Sequence, residues 1–107
     1  MISPYAFVGM PQTKKEKTEN VINKVCNYLQ VNKSYVLGKC RYRSVVEARQ
    51  IISAILRDNV KLKLREIGKA LNQDHTTVIH SIQSLQNRLD TEPLLKLKLE
   101  QLKIKIL

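Results

Sequence analysis

The chain has 107 residues and a formal net charge of +10 at neutral pH, since 19 Lys and Arg residues outweigh 9 Asp and Glu residues. This length suits one compact domain rather than two, and a hydrophobic fraction of 43% excludes a disordered chain. Because no stretch of about 18 apolar residues occurs and the apolar start lacks the basic residues of a signal peptide, we expect a cytoplasmic protein with no membrane partner.

The first predicted feature is a flexible N-terminal tail over residues 1–17, where Pro, Gly and Gln residues precede a lysine-rich run. An alternative stays open, because Tyr5, Phe7 and Val8 are apolar enough to dock in a groove. The domain proper is expected to span residues 18–107. Its first helix begins at Thr18, a plausible N-cap, and carries apolar residues at steps of three and four: Val21, Ile22, Val25 and Leu29.

A basic hinge over residues 39–44 follows a short helical turn that Gly38 ends. Ser44 is predicted to cap a long helix running to about residue 59, with an apolar stripe of Val45, Ala48, Ile52, Ile55 and Leu56. Arg49 and Arg57 are not part of that stripe, so we expect both side chains to face solvent or a ligand.

Positive charge is concentrated around this hinge and long helix. Residues 33–65 hold nine of the basic residues and only Glu47 and Asp58 as acids. A surface made soluble by evenly spread charge would not be so uneven, so the distribution indicates a polyanion as the partner.

Three further helices are predicted in the rest of the chain. A short one spans about 64–71, a break at Asn72-Gln73 follows, and Asp74 stands at the N-cap position of a helix running to Leu89. Pro93 is tolerated in the first turn of the last helix, whose buried stripe is Leu95, Leu99, Leu102 and Ile106. No segment alternates with period two, so we predict an all-α bundle of five to six helices.

The short helix, tight break and longer helix over residues 64–89 have the lengths of a helix-turn-helix. In that motif the N-terminal residues of the second helix enter the major groove of DNA. Here they are Asp74, His75, Thr76 and Thr77. All are short or planar hydrogen-bonding side chains, and the threonine methyl groups suit contacts with thymine. Asp74 is expected to serve as a helix cap in any case.

Three segments of the sequence resemble the C-terminal DNA-binding domain of the bacterial replication initiator DnaA. They are Arg49-Gln50, then Glu66-Ile67-Gly68, then the stretch D-H-T-T-V-I-H over residues 74–80. The family pattern reads R-Q, E-I-G and R-D-H-T-T-V-x-H. The resemblance covers roughly residues 18–107 and implies a helix-turn-helix fold related to the Trp repressor, which reads short A·T-rich boxes in duplex DNA as a monomer.

The resemblance also implies roles for single residues. Asp74, His75 and Thr76 match residues that read base edges in the major groove, and Thr77 matches a threonine near the backbone and the neighbouring base. Arg41 matches the arginine that enters the adjacent minor groove, which narrow A·T-rich grooves favour. The positions expected to contact phosphates are Arg43, Arg49, Gln50 and Arg57.

The sequence departs from the family pattern at two points. The family has a glycine-rich turn ending in arginine, whereas this turn is one residue shorter and ends Asn72-Gln73. Glutamine pairs better with adenine than with guanine, so Gln73 predicts an altered box. The phosphate-loop pattern G-x-x-x-x-G-K-[ST] does not occur. We therefore expect no ATPase activity. The sequence leaves open a role in replication, at the initiator's own sites or beside other replication proteins, and a role in transcription. In both cases we expect the chain on the nucleoid.

Other functional classes are less well supported. His75 and His80 lie about 140° apart on one helix, and Cys26 and Cys40 form no C-x-x-C pair, so no metal or other cofactor is expected. The acidic residues are scattered, which argues against an enzyme and a small-molecule substrate. The main alternative is a protein-interaction or nonspecific nucleic-acid-binding module that kept the fold. RNA fits less well, because its major groove is deep and narrow.

Overall fold

A computed structural model describes residues 13–106 of the chain, with side chains to residue 105, and all the regular secondary structure of this part is helical. The all-α prediction is therefore confirmed. The helices of the described residues are α1 (Lys14–Leu29), α2 (Lys33–Leu37), α3 (Arg43–Ile55), α4 (Leu64–Leu71), α5 (His75–Thr91) and α6 (Pro93–Ile106), and α3 runs on into a π-helical turn (Leu56–Val60).

Helix α3 is the centre of the core. Every residue from 48 to 56 is buried, and α1, α2 and α5 pack around this helix. Its aliphatic side chains meet those of the neighbouring helices, so that Ile51, Ile52 and Ile55 are fully enclosed. Burial of a side chain of this size contributes about 1.5–3 kcal/mol. The core thus fixes α5 against α3 and sets the position of the helix-turn-helix.

Two helices begin earlier than the sequence predicts. Helix α1 is capped by Thr13, whose hydroxyl oxygen accepts a hydrogen bond from the Glu16 amide at 3.1 Å. Thr18 is not a cap, because it is buried within α1 and donates to the Lys14 carbonyl. The expected tail over residues 1–17 is therefore wrong for 14–17, which are helical, while residues 1–12 and the docking of Tyr5, Phe7 and Val8 lie outside the described residues.

Helix α3 likewise begins at Arg43, with Tyr42 at the N-cap position and no capping bond from a side chain. The predicted Ser44 cap is wrong for this reason. The end of the helix is close to the prediction, because the π-helical turn carries it to Val60 before Lys61 reverses the backbone with φ 67°.

Helix α6 returns along α1 after a sharp corner at Glu92. Pro93 is its first residue, as predicted, and Leu95, Leu99 and Leu102 are buried. At the corner Arg88 donates to the Glu92 carboxylate at 2.9 Å, and this bond holds the pKa of Glu92 below its usual range. The opposite face of α6 is also apolar, with Leu94 81% and Ile104 79% exposed. No helix in residues 13–106 is both long and apolar enough to span a membrane.

Candidate nucleic-acid interface

The turn between α4 and α5 is tight because it packs directly on Gly68. A Cβ atom at this position would lie 2.5 Å from the Gln73 carbonyl oxygen, closer than atoms can approach. Asn72 takes the left-handed conformation, with φ 55°, which asparagine tolerates better than most residues. Its side-chain nitrogen donates to the Leu37 carbonyl at 3.1 Å. The turn is thus tied both to α4 and to the end of α2.

The first turn of α5 is presented to solvent. Asp74 occupies the N-cap position, as predicted, but its carboxylate makes no capping bond to the helix amides. It lies instead 3.3 Å from Nδ1 of His75. Thr76 and Thr77 are exposed, and Val78 is the first buried residue of the helix. The hydrogen-bonding groups of residues 74–77 are therefore accessible to a ligand.

A groove of about 520 Å³ joins this helix end to the α2–α3 hinge, which comprises residues 38–42. We call it the hinge–α5 groove. Arg41 is exposed on one side of it, and Asp74 and Thr77 lie on the other. The predicted minor-groove residue Arg41 thus lines one surface with three of the predicted base-contacting residues, Gln73, Asp74 and Thr77. Lys39, Asn72 and Ser81 also line it and were not predicted, although Ser81 follows Thr77 by four residues and so shares its helix face.

Gln73 lies in the turn between two depressions, since it lines the hinge–α5 groove and a second groove beside His75. Its side chain is half-buried, and the amide oxygen is enclosed without a hydrogen-bond partner. A buried acceptor without a partner carries a desolvation cost. Contact between this oxygen and a base would require the side chain to turn outward.

The expectation that Arg49 faces solvent is wrong, although Arg49 also lines the hinge–α5 groove. Its contact with a phosphate stays a prediction. Its side chain is only 6% exposed, and its guanidinium donates four hydrogen bonds of 2.7–2.8 Å to main-chain carbonyls. Burial lowers the pKa of the guanidinium from its usual range, yet the group stays charged. Helical spacing already held the signal, because Arg49 follows Val45 by four residues and precedes Ile52 by three, which places it beside the core stripe.

The other predicted phosphate contacts fall into two groups. Gln50 is buried, and its side-chain oxygen accepts from Arg88 at 3.3 Å, so it also differs from the expectation. Arg43 is exposed at the first turn of α3. Arg57 is half-exposed and donates to Asp58 at 2.9 Å. Of the four residues predicted to contact phosphates, Arg43 and Arg57 thus have side chains accessible to solvent.

A family model described as the bacterial DnaA protein helix-turn-helix matches residues 18–85, which include α4, the turn and most of α5. The chain belongs to this family. The match begins within α1 and ends before the corner at Glu92. In the initiator this helix-turn-helix is the DNA-binding domain.

Curated relatives of this chain are chromosomal replication initiator proteins DnaA. The one from Ureaplasma parvum is 38% identical over 80 residues, which are 74% of this chain and 18% of that protein. Those from Thermomicrobium roseum and Gloeobacter violaceus are 35% and 33% identical, over 73% and 94% of this chain. The chain spans about a fifth of the length of these relatives, with 17% and 23% of the latter two covered.

Proposed function

We propose that the chain binds duplex DNA at a specific sequence, with α5 in the major groove. The observation that carries this proposal is the hinge–α5 groove, which places an exposed, hydrogen-bonding helix start beside an exposed basic hinge. Helix-turn-helix proteins use such a helix start to read base edges. Membership of the DnaA helix-turn-helix family supports the same function.

Each exposed residue of the α5 start has a role in this proposal. His75, Thr76 and Thr77 contact base edges and thymine methyl groups, and Asp74 accepts from a cytosine or adenine amino group. Arg41 enters the adjacent minor groove, which is narrow and strongly negative where the sequence is A·T-rich. The preferred site is therefore an A·T-rich box similar to those of the initiator.

Arg43 and Arg57 neutralise phosphates in this arrangement. Arg49 and Gln50 are left out of the phosphate contacts, because their side chains are buried and bonded elsewhere. Contacts with phosphates fix the register of a protein on DNA but do not select a sequence. Substitution of Arg43 or Arg57 should thus weaken binding to all duplexes alike.

Gln73 makes the preferred box differ from the box of the related initiators. In the family pattern an arginine, suited to guanine, precedes D-H-T-T, whereas glutamine pairs with adenine. Selection from a random duplex library should return adenine at the position facing residue 73. Recovery of the unchanged initiator box would contradict this part of the proposal.

We further propose that the chain binds DNA on the nucleoid as a monomer. Its sites there are those used by the replication initiator or by other replication proteins. The 107 residues contain no phosphate loop, so we expect purified chain to release no phosphate from ATP. Light scattering of the chain–DNA complex tests the stoichiometry. A complex with two chains per box would contradict the monomer.

The deciding experiment is fluorescence anisotropy with a duplex carrying the initiator box and with its shuffled control, each at two salt concentrations. We expect a preference for the box of about 10³ or more. Equal and steeply salt-dependent binding to both duplexes would indicate either a changed box, which library selection identifies, or a nonspecific binder.

The substitution His75→Ala tests the base contact, with His80→Ala as its matched control. Both histidines are exposed on α5, but they point about 140° apart. His75→Ala should reduce the free energy of binding to the box by about 1–3 kcal/mol and leave binding to shuffled DNA unchanged. His80→Ala should change neither. Equal losses from the two substitutions would refute the assignment.

A second candidate function is that of a protein-interaction module, which the apolar outer face of α6 favours. Leu94, Leu97 and Ile104 are 54–81% exposed along this face. Absence of binding to any duplex at low salt would favour this candidate over DNA recognition. Substitution of Leu97 by Glu would then be expected to abolish partner binding while α5 stays intact.

A further inference from the structure

The α2–α3 hinge has no regular secondary structure, yet main-chain carbonyls of the hinge and of the end of α2 converge on the side chain of Arg49. Arg49 donates from Nε to the Val36 carbonyl at 2.8 Å and from Nη1 to the Cys40 carbonyl at 2.7 Å. Its Nη2 donates to the carbonyls of Tyr35 and Gly38, each at 2.8 Å. Four of the five N–H groups of the guanidinium are used in this way.

One of these carbonyls belongs to the peptide bond that leads into Arg41. By holding the Cys40 carbonyl, Arg49 fixes the plane of that peptide and hence the direction in which the main chain enters residue 41. The bonds to Tyr35, Val36 and Gly38 fix the other end of the same segment against α3. Arg49 thus connects the core helix to the residue that lines the hinge–α5 groove.

We propose that Arg49 is a positioning residue, which touches no DNA and holds the hinge so that Arg41 is directed at the minor groove. This inference rests on the proposed function, because Arg41 is a DNA contact only if the chain binds duplex DNA. Arginine suits the role, since its planar fork donates in several fixed directions, whereas the lysine ammonium acts as a point charge.

A charge-retaining substitution separates positioning from a direct phosphate contact. A phosphate accepts lysine as well as arginine, so a direct contact would leave Arg49→Lys close to the wild type. Positioning requires the fork, so Arg49→Lys should lose nearly as much box preference as Arg49→Gln, roughly tenfold to a hundredfold. The proposal would be overturned if Arg49→Lys bound the box with the affinity of the wild type, while Arg49→Gln alone reduced the slope of log affinity against log salt by about 0.9.

A double-substitution cycle tests whether Arg49 acts through Arg41. Arg41→Ala should lose the box preference that Arg41 provides, and Arg49→Lys should then cost little more, within about twofold, in the Arg41→Ala background. Independent losses that multiply would overturn the proposal. Lys24→Gln removes one exposed charge from α1 and serves as the charge control for Arg49→Gln. Titration at concentrations well above Kd measures the folded, active fraction of each variant.

The wild-type chain provides a test that does not depend on folding of a variant. The Arg49 guanidinium should give side-chain NMR signals that are protected from exchange, both in the free chain and in the complex with box DNA. Loss of protection or a large shift on DNA binding would show that Arg49 leaves the hinge for a phosphate, and would overturn the proposal.

Failure of the proposed function is distinguishable from failure of this inference. If the wild-type chain shows no preference for any duplex, the proposal that α5 recognises a DNA sequence fails. The role of Arg49 is then decided by ¹⁵N relaxation of residues 38–42 in the free chain. Increased mobility of these residues in Arg49→Lys supports positioning of the hinge, and unchanged mobility overturns it.

Discussion

At Gly68 we expect the addition of a single methyl group to destabilise the fold. Gly68→Ala would place a Cβ 2.5 Å from the Gln73 carbonyl, so the turn would have to shift. We expect a loss of about 1–3 kcal/mol in the free energy of unfolding, measured by urea denaturation, because overpacking costs this much. Gly38→Ala is the control, since its Cβ would lie 3.1 Å from the Ser34 carbonyl at an exposed site. Equal losses in both variants would contradict the packing argument.

Ser53 offers a prediction of the opposite sign. Its hydroxyl is fully buried in α3 and has no hydrogen-bond partner. Ser53→Ala removes an unpaired polar group, so urea denaturation should show an unchanged free energy of unfolding or a gain of up to about 1 kcal/mol. Thr18→Val removes a buried hydroxyl that does have a partner, the Lys14 carbonyl, and should be destabilising. A clear loss of stability in Ser53→Ala would indicate that the hydroxyl is bonded after all.

At the scale of single residues, the sequence predicts the exposed residues at the start of α5 better than the buried side chain of Arg49. His75, Thr76 and Thr77 lie where the helix start predicts, because an N-terminal turn projects from the core. The prediction for Arg49 fails because a residue outside the apolar stripe can still be buried when it lies beside that stripe. The partners of Arg49 are carbonyls at the end of α2 and in the non-helical hinge, which no periodic pattern brings together.

At the scale of helices, α1 and α4 end at Gln30 and Asn72, which both adopt the left-handed conformation. The two residue types differ in how well they tolerate it. Gln30 has φ 56° and is exposed, and a residue with a Cβ is disfavoured there. Gln30→Gly should therefore raise the free energy of unfolding by about 0.5–1 kcal/mol, because relief of about 1–2 kcal/mol of left-handed strain exceeds the entropy cost of about 0.5–1 kcal/mol that glycine adds on folding.

Asn72→Gly is the matched comparison for that gain. Asparagine tolerates the left-handed region, and the bond from Asn72 to the Leu37 carbonyl would be lost. Thermal unfolding should therefore show no gain for Asn72→Gly, or a small loss. A larger gain at residue 72 than at residue 30 would contradict this account of the two helix ends.

The bounds of the helices show which helix ends can be predicted from local sequence signals. Helix α4 is predicted at both ends, and α6 at its Pro93 start, because glycine, proline and the Asn72-Gln73 break act locally. The start of α1 was missed because Thr13 and Thr18 are equally good caps by residue type. Packing decides between them, since Thr18 is buried in the folded chain, where it lines a groove with Leu62 and Ala70.

At the scale of the whole molecule, the position of a positive charge should matter more for DNA binding than its contribution to the net charge. Lys39 lines the hinge–α5 groove, whereas Lys24 is exposed on α1, near Tyr28 and Lys105. Lys39→Gln should reduce the slope of log affinity against log salt by about 0.9, the value for one lost phosphate contact. Lys24→Gln should leave the slope unchanged. Anisotropy titrations across a salt series measure both, and equal slopes would indicate that only net charge steers the chain to DNA.

The closely packed turn at Gly68 also bears on how this protein is able to evolve. Because the turn between α4 and α5 packs directly on Gly68, we expect that a larger residue at position 68 would displace the start of α5. The exposed residues of its first turn, by contrast, contribute nothing to the core before Val78. A lineage that adopts a new DNA site is therefore expected to do so by exchanging residues 74–77 on an unchanged frame, one base preference at a time, without passing through unstable intermediates.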